Sequence, residues 1–217
     1  MTAVGELYRK GRDRILRLSL RVPGTGFLRK VYWDTRAVDM HRRWGSEKND
    51  YPVLRRIIGA VKPKRLLDIG AGSGRLFDLY TEFVGVSVFA QEISRKAISL
   101  ARARSSRLGL AVTFLQCELG NLDLQVDLII SNRVLSAIPP ADIGGVMRHL
   151  LEMTDCIYIN ELGEREHPPV SSYWFAHDYD AILATDGFEK IESGLIGEQG
   201  FSLWKRAGAA GASPDLR

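Results

Sequence analysis

Cysteine is nearly missing from this chain: two among 217 residues, Cys117 and Cys156. Both sit in apolar surroundings without C-x-x-C spacing. That argues against a disulfide framework or a zinc ribbon and for a reducing compartment. Histidine is scarce as well, with four residues, and no His/Asp/Glu cluster shows metal-ligand spacing. No apolar run approaches the ~18 residues of a membrane span. The N-terminus lacks the apolar stretch of a secretory signal. The expectation is a cytoplasmic protein. Most of the chain also lacks net charge of one sign. Residues 1–48 hold 12 Lys and Arg against 5 Asp and Glu, whereas the remainder holds 18 against 21. A nearly neutral body is a poor electrostatic platform for nucleic acid.

The basic excess lies in a segment read as an amphipathic helix over 3–21, with Val4, Leu7, Tyr8, Ile15 and Leu18 on one face. "VPGTG" follows as a turn. A second helix is expected over about 27–44, carrying Tyr32, Trp33, Val38 and Trp44. After the loop "GSEKNDYP", "VLRRIIGAV" reads as a helix ending before Pro63. The basic segment has three readings: a lid over a site, a contact to anionic lipid or nucleic acid, or a solvated face. The aromatics and "SEKNDY" of residues 32–52 suit a closing segment. Three parts result: an extension over 1–50, a domain over 51–207 and a tail over 208–217 expected to be disordered.

From Lys64 the pattern alternates. "RLLDI", "VSVFAQEI", "AVTFLQC", "VDLIIS" and "CIYINEL" read as strands. "GRLFDLYTEF", "RKAISLARARSSRL" with Ser94 as its N-cap, 141–153 and "DYDAILATD" read as helices. This alternation means a parallel sheet with helices on both faces. "FEKIESGLIG" and "FSLWKRA" are joined by too short a turn for a parallel crossover, so they pair antiparallel.

Three glycines in five positions, Gly70, Gly72 and Gly74, end the first strand. Bare backbone there lets peptide N–H groups and a helix N-terminus approach a ligand. Glu92 follows about 20 residues later at the next strand's end, where a carboxylate can accept hydrogen bonds from a ribose diol. The pair points to a nucleoside-containing cofactor. The third glycine comes one residue too early for a dinucleotide fingerprint, and Arg75 takes its place. Asp68, two residues before the first glycine, would repel a pyrophosphate and suits an ammonium or a sulfonium.

"LLDIGAGSGRL" resembles motif I of the class I S-adenosylmethionine-dependent methyltransferases. "FAQEIS", "VTFLQCELGNL" and "VDLIISNRVLSAIPP" are similar to the family's next three motifs. The resemblance covers roughly residues 50–206. It implies a Rossmann-like doubly wound α/β fold: a mostly parallel seven-stranded sheet with an antiparallel final strand. It implies S-adenosylmethionine as cofactor and no metal. Asp68, Gly70, Ala71, Gly72 and Gly74 would form the binding loop, with Glu92 and Ile93 at the ribose. Glu118 would meet the adenine amino group, Leu119 would donate its N–H to the ring, and Asn132 would border the site. Glu stands at 92 and 118 where the family more often has Asp.

The acceptor is approached by exclusion. The Asn/Asp-Pro-Pro-Tyr/Phe of base-amine enzymes is replaced by Ser131-Asn132-Arg133-Val134, and no Lys-Asp-Lys-Glu set is visible. "SNRVLSAIPP" is similar to members acting on sugars and natural products. A small-molecule acceptor is the expectation. A non-catalytic cofactor-binding module and a nucleic-acid methyltransferase stand as alternatives. His177 and Asp178 are candidates for base and orienter, with Asp178 as a helix N-cap the competing reading. Glu161, ending its strand, is a candidate substrate ligand or support. His167 reads as an exposed loop residue and His149 as structural.

Overall fold

The computed structural model describes residues 26–161, 174–197 and 199–209. The basic helix expected over 3–21, most of the following turn, His167 and residues 210–217 lie outside them. Two helices come first, α1 (Gly26–Trp44) and α2 (Tyr51–Val61). Pro52 begins α2, where a missing N–H costs nothing. Lys62 ends it in a left-handed conformation, its N–H bonded to Ile58 O at 2.8 Å.

Seven strands follow: β1 (Arg65–Ile69), β2 (Ser87–Gln91), β3 (Val112–Leu115), β4 (Leu128–Asn132), β5 (Cys156–Glu161), β6 (Phe188–Ile196) and β7 (Gln199–Arg206). Their order is β3-β2-β1-β4-β5-β7-β6. All pairings are parallel except β5 with β7 and β6 with β7. Helices α3 (Phe77–Tyr80), α4 (Arg95–Leu108), α5 (Pro140–Glu152) and α6 (Tyr179–Thr185) connect them.

The inner strands read as unbroken apolar runs because both faces are covered. Leu66, Val88, Leu128 and Tyr158 pack with Leu54, Ile57 and Phe77 on one face. Leu67, Ile129, Ile157 and Trp204 pack with Met147, Leu150 and Leu183 on the other. Ser94 caps α4, its hydroxyl accepting from Ala97 N at 3.1 Å.

The helix expected over 74–83 is the element that differs. Only Phe77–Tyr80 is α-helical. The chain then tightens into i+3 turns, Glu82 N to Leu79 O at 3.1 Å and Phe83 N to Tyr80 O at 3.2 Å. Apolar spacing alone carries no information on that change of winding.

The order of strands reverses between β1 and β4. Ligands of open α/β sheets bind beyond the C-terminal strand ends at such a switch point. The glycine turn leaves β1 there, and residues 132–138 leave β4 there.

Among the described residues no helix is long and apolar enough to cross a membrane.

Candidate functional site

A cleft of about 210 Å³ opens at this switch point. Its floor is Gly70, Ala71, Gly72 and Ser73 from the β1 turn, Glu92 and Ile93 after β2, Glu118 and Leu119 after β3, and Asn132 at the end of β4. Eight of the ten residues expected to hold the cofactor thus share one cleft; Asp68 and Gly74 are not in its lining.

Gly72 has φ +57° and no neighbour nearer than Gly70 O at 3.8 Å from where a Cβ would stand. Its bare side faces open space, which is what close ligand approach requires. Gly70 lines the cleft and serves packing as well. A Cβ there would lie 2.4 Å from Val134 Cγ2, so its glycine lets the β1 turn and the loop after β4 touch.

Glu92 is 9 % exposed. One carboxylate oxygen accepts from Gly72 N at 3.0 Å and the other from Ser94 N at 2.7 Å. Burial pushes its pKa up, against those N–H groups. A carboxylate has about four lone-pair sites, so acceptor capacity toward the cleft remains. Glu118 is half-buried; burial raises its pKa, and Arg29 of α1 opposes the rise. Asp68 lies behind the turn at 3 % exposure. Burial pushes it up to about 7 despite the Arg75 guanidinium and the Tyr80 hydroxyl beside it.

Gln91 escaped the sequence reading. Its side-chain oxygen accepts from Gly70 N at 2.9 Å and its amide donates to Cys117 O at 2.6 Å. It thereby joins the turn after β1 to the segment after β3. The available signal was an amide within a buried apolar strand.

The roof is α1, which contributes Arg29, Trp33, Ala37, Met40, His41 and Trp44 to the cleft. Polar contacts tie it down. Asp34 accepts from Ser94 Oγ at 2.6 Å and Lys96 N at 3.1 Å; burial works against its charge, but these bonds hold its carboxyl below the usual range. His41 Nδ1 lies 2.8 Å from Ser73 Oγ. Beyond α1, Asp50 accepts from both terminal nitrogens of Arg75 at 2.7 and 2.5 Å and also from Asn132 Nδ2. Glu47 accepts from Arg133 at 2.8 Å. Arg75, standing where a dinucleotide motif has glycine, therefore anchors the covering segment.

The profile of a methyltransferase domain matches residues 61–166. The magnesium protoporphyrin IX methyltransferase ChlM of Synechocystis PCC 6803, crystallised with bound SAM, superposes with a TM-score of 0.72 at 17% identity, over 86% of this chain and 99% of that one. Residues 61–166 thus form a methyltransferase domain, and the fold is that of the S-adenosylmethionine-dependent enzymes it superposes on. A putative O-methyltransferase of Nostoc punctiforme PCC 73102 gives a TM-score of 0.65 at 12% identity, covering 80% of this chain and 60% of that one. The methyltransferase domain of bacterial CtHen1-C gives 0.62 at 13%, covering 73% and 97%. No curated protein matches the sequence.

In this methyltransferase the three residues expected to act on the acceptor fall outside the cleft. They line a second cavity with Tyr179 and Phe201, across the loop after β4. Glu161 is 2 % exposed. It accepts from Ser131 Oγ (2.7 Å), Val134 N (2.6 Å), Leu135 N (2.9 Å), Ser136 N (3.2 Å) and Ser136 Oγ (2.9 Å). Burial raises its pKa against these donors. Its lone pairs are taken, so it supports the loop rather than a substrate. His177 is 5 % exposed, with Nε2 3.0 Å from Ile138 O and its ring against Phe175 and Tyr179. Asp178 is exposed and caps α6, accepting from Ala181 N at 3.0 Å. Adjacent residues here take unrelated structural jobs, and no base–orienter pair forms between them. His149 bonds Leu122 O at 2.8 Å. Among the described residues no group of three or more His, Cys, Asp or Glu could hold a metal ion.

Proposed function

We propose that this enzyme methylates a hydroxyl or amine of a small organic molecule, of sugar or natural-product type. The observation that carries the reading is the roof. Trp33, Met40, His41 and Trp44 of α1 line the same cleft as the glycine turn. A site roofed by its own chain suits an acceptor that can be enclosed, and the aromatics suit an organic ring or sugar face. The lack of basic excess in residues 49–217 argues the same way against a nucleic-acid acceptor.

S-adenosylmethionine, when bound, supplies a methyl group already activated on a sulfonium. What the chain must supply is position and a dry approach. Gly70–Gly72 would meet it with bare backbone. Glu92, with spare lone pairs, would take the ribose diol, and Glu118 with Leu119 would hold the adenine edge. Ile93 and Asn132 would border it. Asp68 would act from behind the turn, and Gly74 by shaping it. The open Cβ side of Gly72 and the unspent capacity of Glu92 fit this ligand.

The test is label transfer from methyl-labelled S-adenosylmethionine into an extract separated into a low-mass ultrafiltrate, RNA and protein. Label in the ultrafiltrate supports the reading. Label confined to RNA favours a nucleic-acid acceptor, and none anywhere, with S-adenosylhomocysteine still bound, favours a binding module.

A further inference from the structure

Of the described histidines, His41 alone lines the cofactor cleft. Its ring is held through one nitrogen. Nδ1 sits 2.8 Å from the hydroxyl of Ser73, inside the glycine turn. Gly45 lies close to the same nitrogen: a Cβ there would stand 2.9 Å from Nδ1 and 2.4 Å from the His41 carbonyl oxygen. A larger residue at 45 would clash with the His41 carbonyl first and crowd the imidazole as well. Gly45 is itself fixed: its N–H bonds His41 O at 2.9 Å, and its carbonyl accepts from Arg104 at 2.7 Å. Arg104 in turn pairs with Asp78. The imidazole thus rests on a built floor, with Trp33, Met40 and Trp44 lining the same cleft.

The polar groups nearest the turn have other work. Glu92 holds backbone N–H groups of the cofactor turn, and Asn132 donates to Asp50. A ring oriented through Nδ1–H by a hydroxyl presents Nε2 as its basic atom.

We propose that His41 is the general base of the transfer, taking the proton of an acceptor hydroxyl at Nε2 while Ser73 orients the ring through Nδ1. This rests on the small-molecule reading and names its acceptor as a hydroxyl. The oxygen–methyl bond forms as the methyl–sulfur bond breaks, and the electron pair of the broken bond stays on sulfur, which becomes a neutral thioether. The hydroxyl proton passes to His41, leaving an imidazolium that returns it to water after release.

The experiment compares wild type, His41→Ala and Ser73→Ala, with methyl-labelled S-adenosylmethionine and the low-mass ultrafiltrate as acceptor pool. S-adenosylhomocysteine affinity is measured in parallel by calorimetry. His41→Ala should lower turnover by about 10²–10⁴-fold, the range for a lost general base, with S-adenosylhomocysteine affinity within roughly threefold. Added imidazole should restore part of the rate, since the truncated side chain leaves room for it. Ser73→Ala should lose roughly tenfold, the scale of one hydrogen bond. His41 is half-buried, so the variant keeps its fold. Two results overturn the proposal: turnover near wild type in His41→Ala, as an amine acceptor would give, or an affinity loss matching the rate loss, which would make His41 a cofactor ligand. Wild-type label found only in RNA or protein sinks the small-molecule reading instead. The histidine is then judged by the same ratio of variant to wild type in the labelled fraction.

Discussion

Glu92 and Glu161 are the same residue in matching places, one just past the end of β2 and one ending β5, and both are buried. Burial raises the pKa of each. They differ in what their oxygens touch. Glu92 faces the N–H groups of Gly72 and Ser94 and still lines the cleft. Glu161 takes five donors, one from Ser131 of β4 and four from the loop that follows, and keeps nothing for a ligand. One acid keeps capacity toward the cleft beside its structural ties, as the proposed ribose contact requires; the other is a bracket for the loop that walls the cleft. A carboxylate at a strand end is therefore a site only if its lone pairs are unspent.

The sharpest way to break this contrast is to delete both carboxylates in turn. Glu161→Ala strands the N–H groups of Val134, Leu135 and Ser136, and each such buried loss is worth about 1–3 kcal/mol. A destabilisation of about 3–5 kcal/mol is expected, allowing for partial relaxation. Urea unfolding with an unchanged slope would show it. A loss under about 1 kcal/mol would mean that water replaces the carboxylate and that the bracket is not needed.

Glu92→Ala should do its main damage elsewhere. S-adenosylhomocysteine binding should weaken by about 1.5–3 kcal/mol, or roughly 10–150-fold, the scale for hydrogen bonds to a charged acceptor. Its stability loss should be smaller than that of Glu161→Ala, because fewer backbone donors depend on it. Calorimetric titration and urea unfolding on the same sample decide both points. An unchanged dissociation constant would take the ribose away from Glu92.

Gly72→Ala tests the cofactor side without touching charge. The residue sits at φ +57° with open space around its missing Cβ. Left-handed backbone costs a non-glycine residue about 1–2 kcal/mol, so stability falls by that amount. The new methyl then faces the cleft, and S-adenosylhomocysteine affinity should fall in addition. Normal affinity would show that the ligand does not approach this turn.

The cofactor half was legible because its signals are local. Glycine spacing, a strand end and an acid about 20 residues on lie within one supersecondary unit. The alternation of strands and helices likewise carried the sheet and its reversed final pair. The roof was legible only as a segment with aromatics suited to closing. What closes it joins residues distant in sequence: His41 with Ser73, Asp34 with Ser94, and Asn132 with Asp50. No periodicity encodes such pairs. His41 itself drew no notice, since a histidine in a basic helix turn resembles a solvated one until Ser73 and Gly45 are seen beside it. The acids and histidine at and after β5 were found by type, with two readings left open for each acid; the contacts fit Asp178 as the N-cap and Glu161 as the support. Their side chains bond the loop after β4 and the start of α6, on the far side of that loop from the cofactor cleft.

Asp178 gives the smallest test and separates the two halves most cleanly. As an N-cap its side chain satisfies one donor of a seven-residue helix, accepting from Ala181 N at 3.0 Å. Removing such a cap costs about 0.5–2 kcal/mol. α6 is too short to hold itself, so the loss should appear as a modest drop in the unfolding midpoint. Asp178 is exposed and points to no residue of the cofactor cleft, so S-adenosylhomocysteine affinity should stay the same. Asp178→Asn should recover most of the stability, because an amide oxygen caps nearly as well as a carboxylate. An orienter of His177 would behave differently: both substitutions would slow methyl transfer, and the recovery of stability in Asp178→Asn would not bring the rate back. Rate measured against unfolding midpoint across the two variants thus distinguishes a helix cap from a catalytic partner.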